Sequence, residues 1–344
     1  MKTTSIRAQA LACALLATTA TCGLTAQPAQ AQESETKLIN FPAEKFVIAP
    51  GGVDLRTGRF VYSETDLSAG AAESGLALTR TMPERAANHA NPFSNFSHNW
   101  DIFLLETRVD IYQARPVGLD YRMNVHFGGR SLTFESYQSS PGYEFKSDGP
   151  SASLTFAGGD KASDTVVYTL RAPDGTIMTF RPMGGADCAD QGWGSGRRRC
   201  AFVSAMTAPD GTHYAFDYAG TVGGATGNLA RLRRVTGSRG YALLLEGSGS
   251  LVTKACLLNL ASAPAPANGL CPQDALATAG YAYEAGGRLA AATGAGGSVS
   301  GFTYAPAAGD QIAMGFVKPG QSAPWLTNSI SMRLDEEDSL QEIV

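Results

Sequence analysis

Asp174 and Asp210 are the carboxylates best placed to do chemistry, and each is followed directly by glycine. A secreted glycoside hydrolase would need two such acids facing each other at a fixed separation. A turn explains both more simply, because an Asp side chain bonds its own backbone and tolerates left-handed geometry beside Gly. The four histidines, His89, His98, His126 and His213, are scattered. His89 and His98 lie in or beside an Asn-rich segment and read as exposed loop side chains. His126 and His213 fall in strand-like runs, where a hydrogen-bonded or solvent-facing imidazole is expected. No H-E-x-x-H motif occurs, and the chain has no Gly-Lys pair and hence no P-loop. The Gly-Ser-Gly pieces at 194–196 and 247–249 lack the spacing of a nucleophile elbow. Ser34-x-x-Lys37 lacks the partner motifs of a serine acyl-transferase. The acidic run Asp335 to Asp338 reads as solvated. No catalytic residue, cofactor or metal is therefore assigned, and a non-enzymatic protein is expected.

Binding chemistry is better represented. Trp193, Trp325, Tyr143, Tyr281 and Tyr283 fall near turns or repeat edges. Aromatic faces stack on sugar rings, so these five are candidate glycan contacts. The competing assignment is that aromatics at strand ends cap a core. Four cysteines follow the first 31 residues: Cys188, Cys200, Cys256 and Cys271. An even count in an exported chain implies disulfides. Nearest-neighbour pairing, Cys188 with Cys200 and Cys256 with Cys271, would close two short loops. The alternative, one metal held by all four, lacks the close C-x2-C pairs usual in zinc sites.

The first 31 residues read as an export signal. Lys2 and Arg7 form its charged end, Ala8 to Ala20 is apolar, and Ala29-Gln30-Ala31 is a small-x-small cleavage site. The apolar run is shorter than the ~20 residues that span a bilayer. Cys22 lacks the preceding Leu of a lipoprotein signal. An exported protein, periplasmic, surface-bound or secreted and not membrane-spanning, is expected. Residues 1–31 hold two positive charges and no acid, so their removal leaves 313 residues and moves the net charge from −4 to −6. Nucleic acid is an unsuitable partner for such a surface, because phosphate binding needs clustered Lys and Arg. The one dense basic run, Arg197 to Arg199, sits in a Gly-rich stretch and reads as a solvated loop.

The scaffold that must position these groups is written in a recurring phrase. Val-Tyr-Thr-Leu-Arg-Ala-Pro-Asp-Gly-Thr-Ile-Met-Thr-Phe at 167–180 returns at 203–218 with the same Ala-Pro-Asp-Gly-Thr centre. Looser copies run 232–245 and 281–304. Most read as alternating strand, Gly-rich turn and second alternating strand, the pattern of β-hairpins. Gly numbers 39, and no long 3.6-residue periodicity follows the signal, so an all-β chain is expected, with Met332–Val344 the single short helical candidate. Repeated hairpins cannot bury an apolar face alone and imply one long curved or rolled antiparallel sheet. The chain divides into a signal (1–31), a polar lead-in (32–49), an N-terminal β region (50–165), hairpin repeats (166–304) and a C-terminal segment (305–344). Asn259–Asn268 reads as a loop within the sheet, the alternative being a domain boundary near 263. Ala305–Gly309 is expected to lead out of the repeats. Asn91–Trp100 reads as a loop. Open sheet edges would favour self-association.

Several of these phrases together resemble one family. Val-Asp-Leu-Arg-Thr-Gly-Arg-Phe at 53–60, Asp66-Leu67-Ser68, Leu-Ala-Leu-Thr-Arg at 76–80 and Asn99-Trp100 resemble the opening of bacterial RHS/YD-repeat proteins. The later Asp-Gly-Thr and Tyr-x-Tyr-x-x-x-Gly-Arg-Leu phrases look like YD repeats, and the resemblance covers residues 50–304. It implies hairpins wrapped into a partial shell. It also implies a surface or secreted interaction scaffold in bacterial competition or toxin encapsulation, with other members binding carbohydrate. The implied partners are further shell segments, another protein or a cell-surface glycan. The chain departs from the usual pattern. It has about four recognisable repeats, where a closed shell needs many. It lacks the autoproteolysis segment and a long C-terminal toxin. The residues from Leu334 onward read as a unit stopped midway, so a truncated or small member is expected.

Overall fold

A computed structural model describes residues 48–49, 53–54 and 62–331, except 72–74, 83–91, 109–118, 128–129, 138–141, 146–150, 159–162, 164, 184–197, 225–226, 250 and 307–310. The described residues form strands and no helix. In order these are β1 (Ile48–Ala49), β2 (Val53–Asp54), β3 (Ser63–Ala69), β4 (Leu76–Thr81), β5 (Ser97–His98), β6 (Phe103–Arg108), β7 (Leu119–Phe127), β8 (Arg130–Tyr137) and β9 (Glu144–Phe145). They continue with β10 (Ser153–Ala157), β11 (Val167–Arg171), β12 (Ile177–Pro182), β13 (Arg198–Thr207), β14 (His213–Gly224), β15 (Gly227–Gly237) and β16 (Tyr241–Ser248). The last are β17 (Leu251–Asn259), β18 (Ala277–Tyr283), β19 (Leu289–Thr293), β20 (Val299–Pro306), β21 (Gln311–Val317) and β22 (Leu326–Ser331).

Each repeated phrase becomes an antiparallel strand pair: β11 with β12, β13 with β14, β15 with β16, and β18 through β19 to β20. The two Ala-Pro-Asp-Gly-Thr centres fold alike. Asp174 Oδ1 accepts from the Thr176 amide at 2.8 Å, and Asp210 Oδ1 accepts from the Thr212 amide at 2.9 Å. Gly175 and Gly211 both carry positive φ, 92° and 80°, which an L side chain rarely adopts. Both threonines are buried beneath their turns.

Strands β10 to β22 add one after another in chain order. The sheet forks at β13. One edge of β13 pairs with β12. The other pairs first with β6, from Arg198 to Phe202, and then with β14, from Ala205 to Thr207. From β6 the chain continues through β7 and β8 to β9, which completes a sheet of 17 strands. This arm curls back: Tyr143, just before β9, meets the rings of Phe156 on β10 and Tyr168 on β11 at 5.8 and 6.4 Å. No ladder joins β9 to β10 among the described residues, so the sheet rolls without closing into a barrel.

A second sheet, β3-β4-β5, lies on the inner face of the large one and shares its core. Leu67, Leu76, Leu78, Phe93, Phe96 and Trp100 from this layer pack with residues such as Leu243, Leu257, Phe302 and Phe316. Asn91–Trp100, expected as a loop, is in its described part a buried plug. Phe93 and Phe96 form an isolated bridge, and the Val252 amide donates to the Pro92 carbonyl at 2.8 Å. Apolar residues spaced at 93, 96 and 100 follow no strand period, which hides them from a period-two reading. The Ala305–Gly309 stretch does not lead out of the repeats: β20 and β21 pair across it, Pro306 opposite Ile312, and β22 follows. Asn259–Asn268 is a loop within the sheet, as expected. Residues 1–31 and 332–344, and with them the signal and the helical candidate, lie outside the described residues.

Candidate functional site

Among the described residues, a dense group of interacting polar side chains lies where the small sheet meets the large one. On β4, alternation directs Leu76, Leu78 and Arg80 to the same inner face, and Arg80 is fully buried. Glu64 stands directly opposite Arg80 in the ladder, and the register slips between Thr65 and Leu67. This bulge lets both Asp66 and Leu67 turn inward. Asp66 then meets the guanidinium in a bidentate pair, accepting from Arg80 Nε at 2.6 Å and from Nη2 at 2.9 Å. Glu64 accepts from Nη2 at 2.8 Å.

The large sheet completes the cluster. The Tyr281 hydroxyl on β18 donates to Asp66 at 2.8 Å, and the Ser300 hydroxyl on β20 donates to Glu64 at 2.6 Å. Tyr62 donates to the same Glu64 carboxylate. The guanidinium carbon sits 5.4 to 6.0 Å from the ring centres of Phe96, Tyr281 and Phe302. Nη1 is buried with no hydrogen-bond partner. Burial opposes the charge on Arg80, yet the bonds and charge of Asp66, with Glu64 beyond, hold its pKa above the ordinary arginine value. Burial pushes Glu64 up, but Arg80 and the hydroxyls of Ser300 and Tyr62 outweigh this and hold it below the usual carboxylate range. Burial raises Tyr281 well above an ordinary phenol. These groups are committed to one another across two sheets, so the arrangement is suited to clasping the layers together rather than to turning over a substrate.

Of the proposed sugar contacts, Tyr281 belongs to this clasp and its ring packs 4.5 Å from Phe93. It is a core residue, and its face is closed to ligands. Tyr283 is half-buried, its hydroxyl donating to the Val252 carbonyl at 2.5 Å. Tyr143 is half-buried against Phe156 and Tyr168. Trp325 alone of the described four is exposed, at 48%. Its amide donates to Phe316 at 2.9 Å, and Lys318 Nζ lies 4.1 Å above its ring. Trp193 lies outside the described residues.

The histidines also sort themselves. His98, expected at the surface, is fully buried, and its Nδ1 accepts from the Trp100 amide at 3.1 Å. His126 stacks on Phe103 at 4.6 Å. His213 is exposed beside Thr207. His89 falls outside the described residues. Asp174 and Asp210 serve separate turns, on the hairpins β11–β12 and β13–β14. Cys256 and Cys271 form a disulfide. Cys200 is disulfide-bonded, while Cys188 lies outside the described residues. No group of three or more metal-ligating side chains occurs among the described residues.

No protein-family model matches the sequence, and no curated protein does. Solved structures do. The crystal structure of TcdB2–TccC3 matches at 10% identity and a TM-score of 0.44, covering 75% of this chain and 16% of that one. The Photorhabdus luminescens Tc holotoxin pore matches at 10% identity and 0.43, covering 83% and 18%. The N-terminal domain of effector protein SpvB from Salmonella typhimurium strain LT2 matches at 10% identity and 0.33, covering 78% of this chain and 100% of that one. The chain thus spans less than a fifth of the Tc-complex chains it matches.

The Arg80 clasp was not singled out from the sequence. Its signal was present: Leu-Ala-Leu-Thr-Arg places a cation on the apolar face of an alternating strand. A charge so placed must find a buried counterion. Asp66, 14 residues earlier, fell in a segment whose bulge no spacing rule announced.

Proposed function

We propose that this chain is an exported, non-catalytic β scaffold of the RHS/YD-repeat type that works through contacts with other proteins. Bacterial competition or toxin encapsulation is its setting. One observation carries the reading: hairpin phrases at 167–180, 203–218, 232–245 and 281–304 become strand pairs that add in chain order to one rolled sheet. Such a sheet grows by adding units and offers long surfaces and edges to partners. The commitment of Arg80, Asp66, Glu64 and Tyr281 to an internal clasp supports a scaffold role for this polar cluster. The setting rests on the sequence resemblance of residues 53–60, 66–68, 76–80 and 99–100. The test is a co-culture of the producing bacterium, with and without this gene, against a susceptible neighbour. Loss of the competitive advantage on deletion, restored by the full chain, is expected. No change on deletion, together with turnover of a defined substrate by the purified chain, would overturn the reading.

A carbohydrate-binding role on the same scaffold has Trp325 in its favour, an exposed ring anchored by its own backbone bond. A glycan array probed with the wild-type chain and with Trp325→Ala decides it. A hit that vanishes in the variant supports sugar contact at this residue, and an array without hits removes the role.

A further inference from the structure

Strands β16 and β17 are buried on both faces. Inward, Leu243, Leu245, Ala255 and Leu257 join the main core. Outward, Ala242, Leu244, Cys256 and Leu258 form a separate apolar cluster. What covers the outward cluster is the connection from β17 to β18, residues 260–276, through Leu260, Ala265, Cys271 and Ala275. This strap is itself mostly exposed, and Leu270 and Leu276 show 54% and 56% of their surface to solvent.

The strap's attachments are few. At its ends the Leu260 amide donates to Gly240 at 2.8 Å and the Leu276 amide donates to Leu257 at 2.9 Å. Between them, the bonds of Ser262, Ala263, Gly269, Leu270 and Ala275 are local, to Asn259, Pro266, Asn268 and Pro272. Among the described residues the middle is bonded to the sheet at Cys271, through its disulfide to Cys256 and the hydrogen bond its amide donates to the Glu246 carboxylate, and Gly269 packs against the Arg233 side chain.

We infer that residues 261–275 are a redox-released strap, latched by Cys256–Cys271 over an apolar outer face that the rest of the fold does not need. A dithiol reductant opens the latch. Its thiolate attacks the sulfur of Cys271, the half-buried partner, breaks the S–S bond and forms a mixed disulfide. Its second thiol resolves that bond, so the reductant leaves as its own disulfide. Its two electrons and two protons remain on Cys256 and Cys271 as thiols. The inner rows at 243, 245, 255 and 257 stay packed, because their contacts lie on the other side of the sheet. Opening is therefore local, of the kind in which one poorly anchored segment unfolds while the core remains.

The test uses the full chain with and without dithiothreitol, and a Cys256→Ala/Cys271→Ala variant kept oxidised so that the bridge at Cys200 stays intact. The readouts are mapped limited proteolysis, binding of an apolar dye and amide exchange. Reduction, or the double substitution, is expected to raise cleavage within 261–275 by roughly tenfold or more and to increase dye binding. Exchange at 243, 245, 255 and 257 should not change. Unchanged cleavage in both samples would show that packing alone holds the strap and would overturn the inference. So would loss of protection at 243–257, or failure of the variant to fold, either of which makes the bridge a staple of the whole sheet.

Discussion

The hairpin β11–β12 and the junction of β4 with β18 are held together by opposite means. In the hairpin, five consecutive residues, Ala172 to Thr176, supply the turn, its hydrogen bonds and its positive φ. At the junction, Arg80, Asp66, Tyr281 and Ser300 come from four strands, and Tyr281 is 215 residues from the aspartate it bonds. The first is written once and works wherever it is copied, as the match at Ala208–Thr212 shows. The second exists once and depends on the whole fold being in place. The difference teaches where damage should spread. A broken turn leaves its neighbours paired, whereas a broken clasp loosens the β3–β5 layer from the large sheet.

The sharpest way to break the comparison is Arg80→Met. It leaves the buried Asp66 and the half-buried Glu64 without their cation, and breaking a buried pair in this way typically costs about 3–5 kcal/mol. Urea unfolding of the full chain should show a loss of that size. Loss of amide protection should begin in β3 and β4 rather than in β11 and β12. A variant that also replaces both acids with apolar residues of similar size should recover much of the loss, because the cost lies in the unpaired charge. An Arg80→Met chain as stable as the wild type would show that the layers are held by apolar packing alone.

The same contrast explains what was legible in the sequence. Asp-Gly turns carry their mechanism within a few residues, so the hairpins at 167–180 and 203–218, their all-β class and the turn roles of Asp174 and Asp210 could be read directly. Cys256 and Cys271 follow the shortest pairing, because a hairpin-side loop returns the chain to its starting strand. The fork at β13 could not be read. It arises because Arg198–Phe202 pairs with Phe103–Thr107, almost a hundred residues away, and no local pattern records the partner. His98 was misplaced for a related reason, while Tyr281 follows the core assignment and not the glycan one. A histidine among asparagines looks exposed until a distant layer covers it, and a tyrosine near a repeat edge fits either assignment until the covering layer is known.

A smaller effect tests the local half. Gly175 and Gly211 sit at equivalent points of the two matching turns, and an added Cβ would meet nothing within 4 Å at either. Gly175→Ala and Gly211→Ala should therefore cost only the left-handed strain, about 1–2 kcal/mol each. Thermal unfolding should give the same loss for both and a simple sum for the double variant, since each aspartate bonds the threonine of its own turn. A markedly larger loss at one position would mean that its turn also supports a distant contact.

The smallest effect comes from Glu64, which belongs to the clasp but keeps about a third of its side chain in solvent, at 35%. Burial pushes its pKa up, but Arg80 together with the hydroxyls of Ser300 and Tyr62 holds it below the usual range. A carboxylate lowered on folding contributes stability that is complete above its unfolded value, about 4.3. That contribution is lost as the pH falls through the lower folded value. Stability measured from pH 7 downward should hold until near that unfolded value and then decline, with Glu64→Gln showing a shallower decline than the wild type. Salt should blunt the difference only in part, because the guanidinium it faces is fully buried while the carboxylate is not. Identical acid profiles for the two chains would place the whole acid response elsewhere. The clasp would then be a bond between Arg80 and Asp66, with Glu64 at its edge.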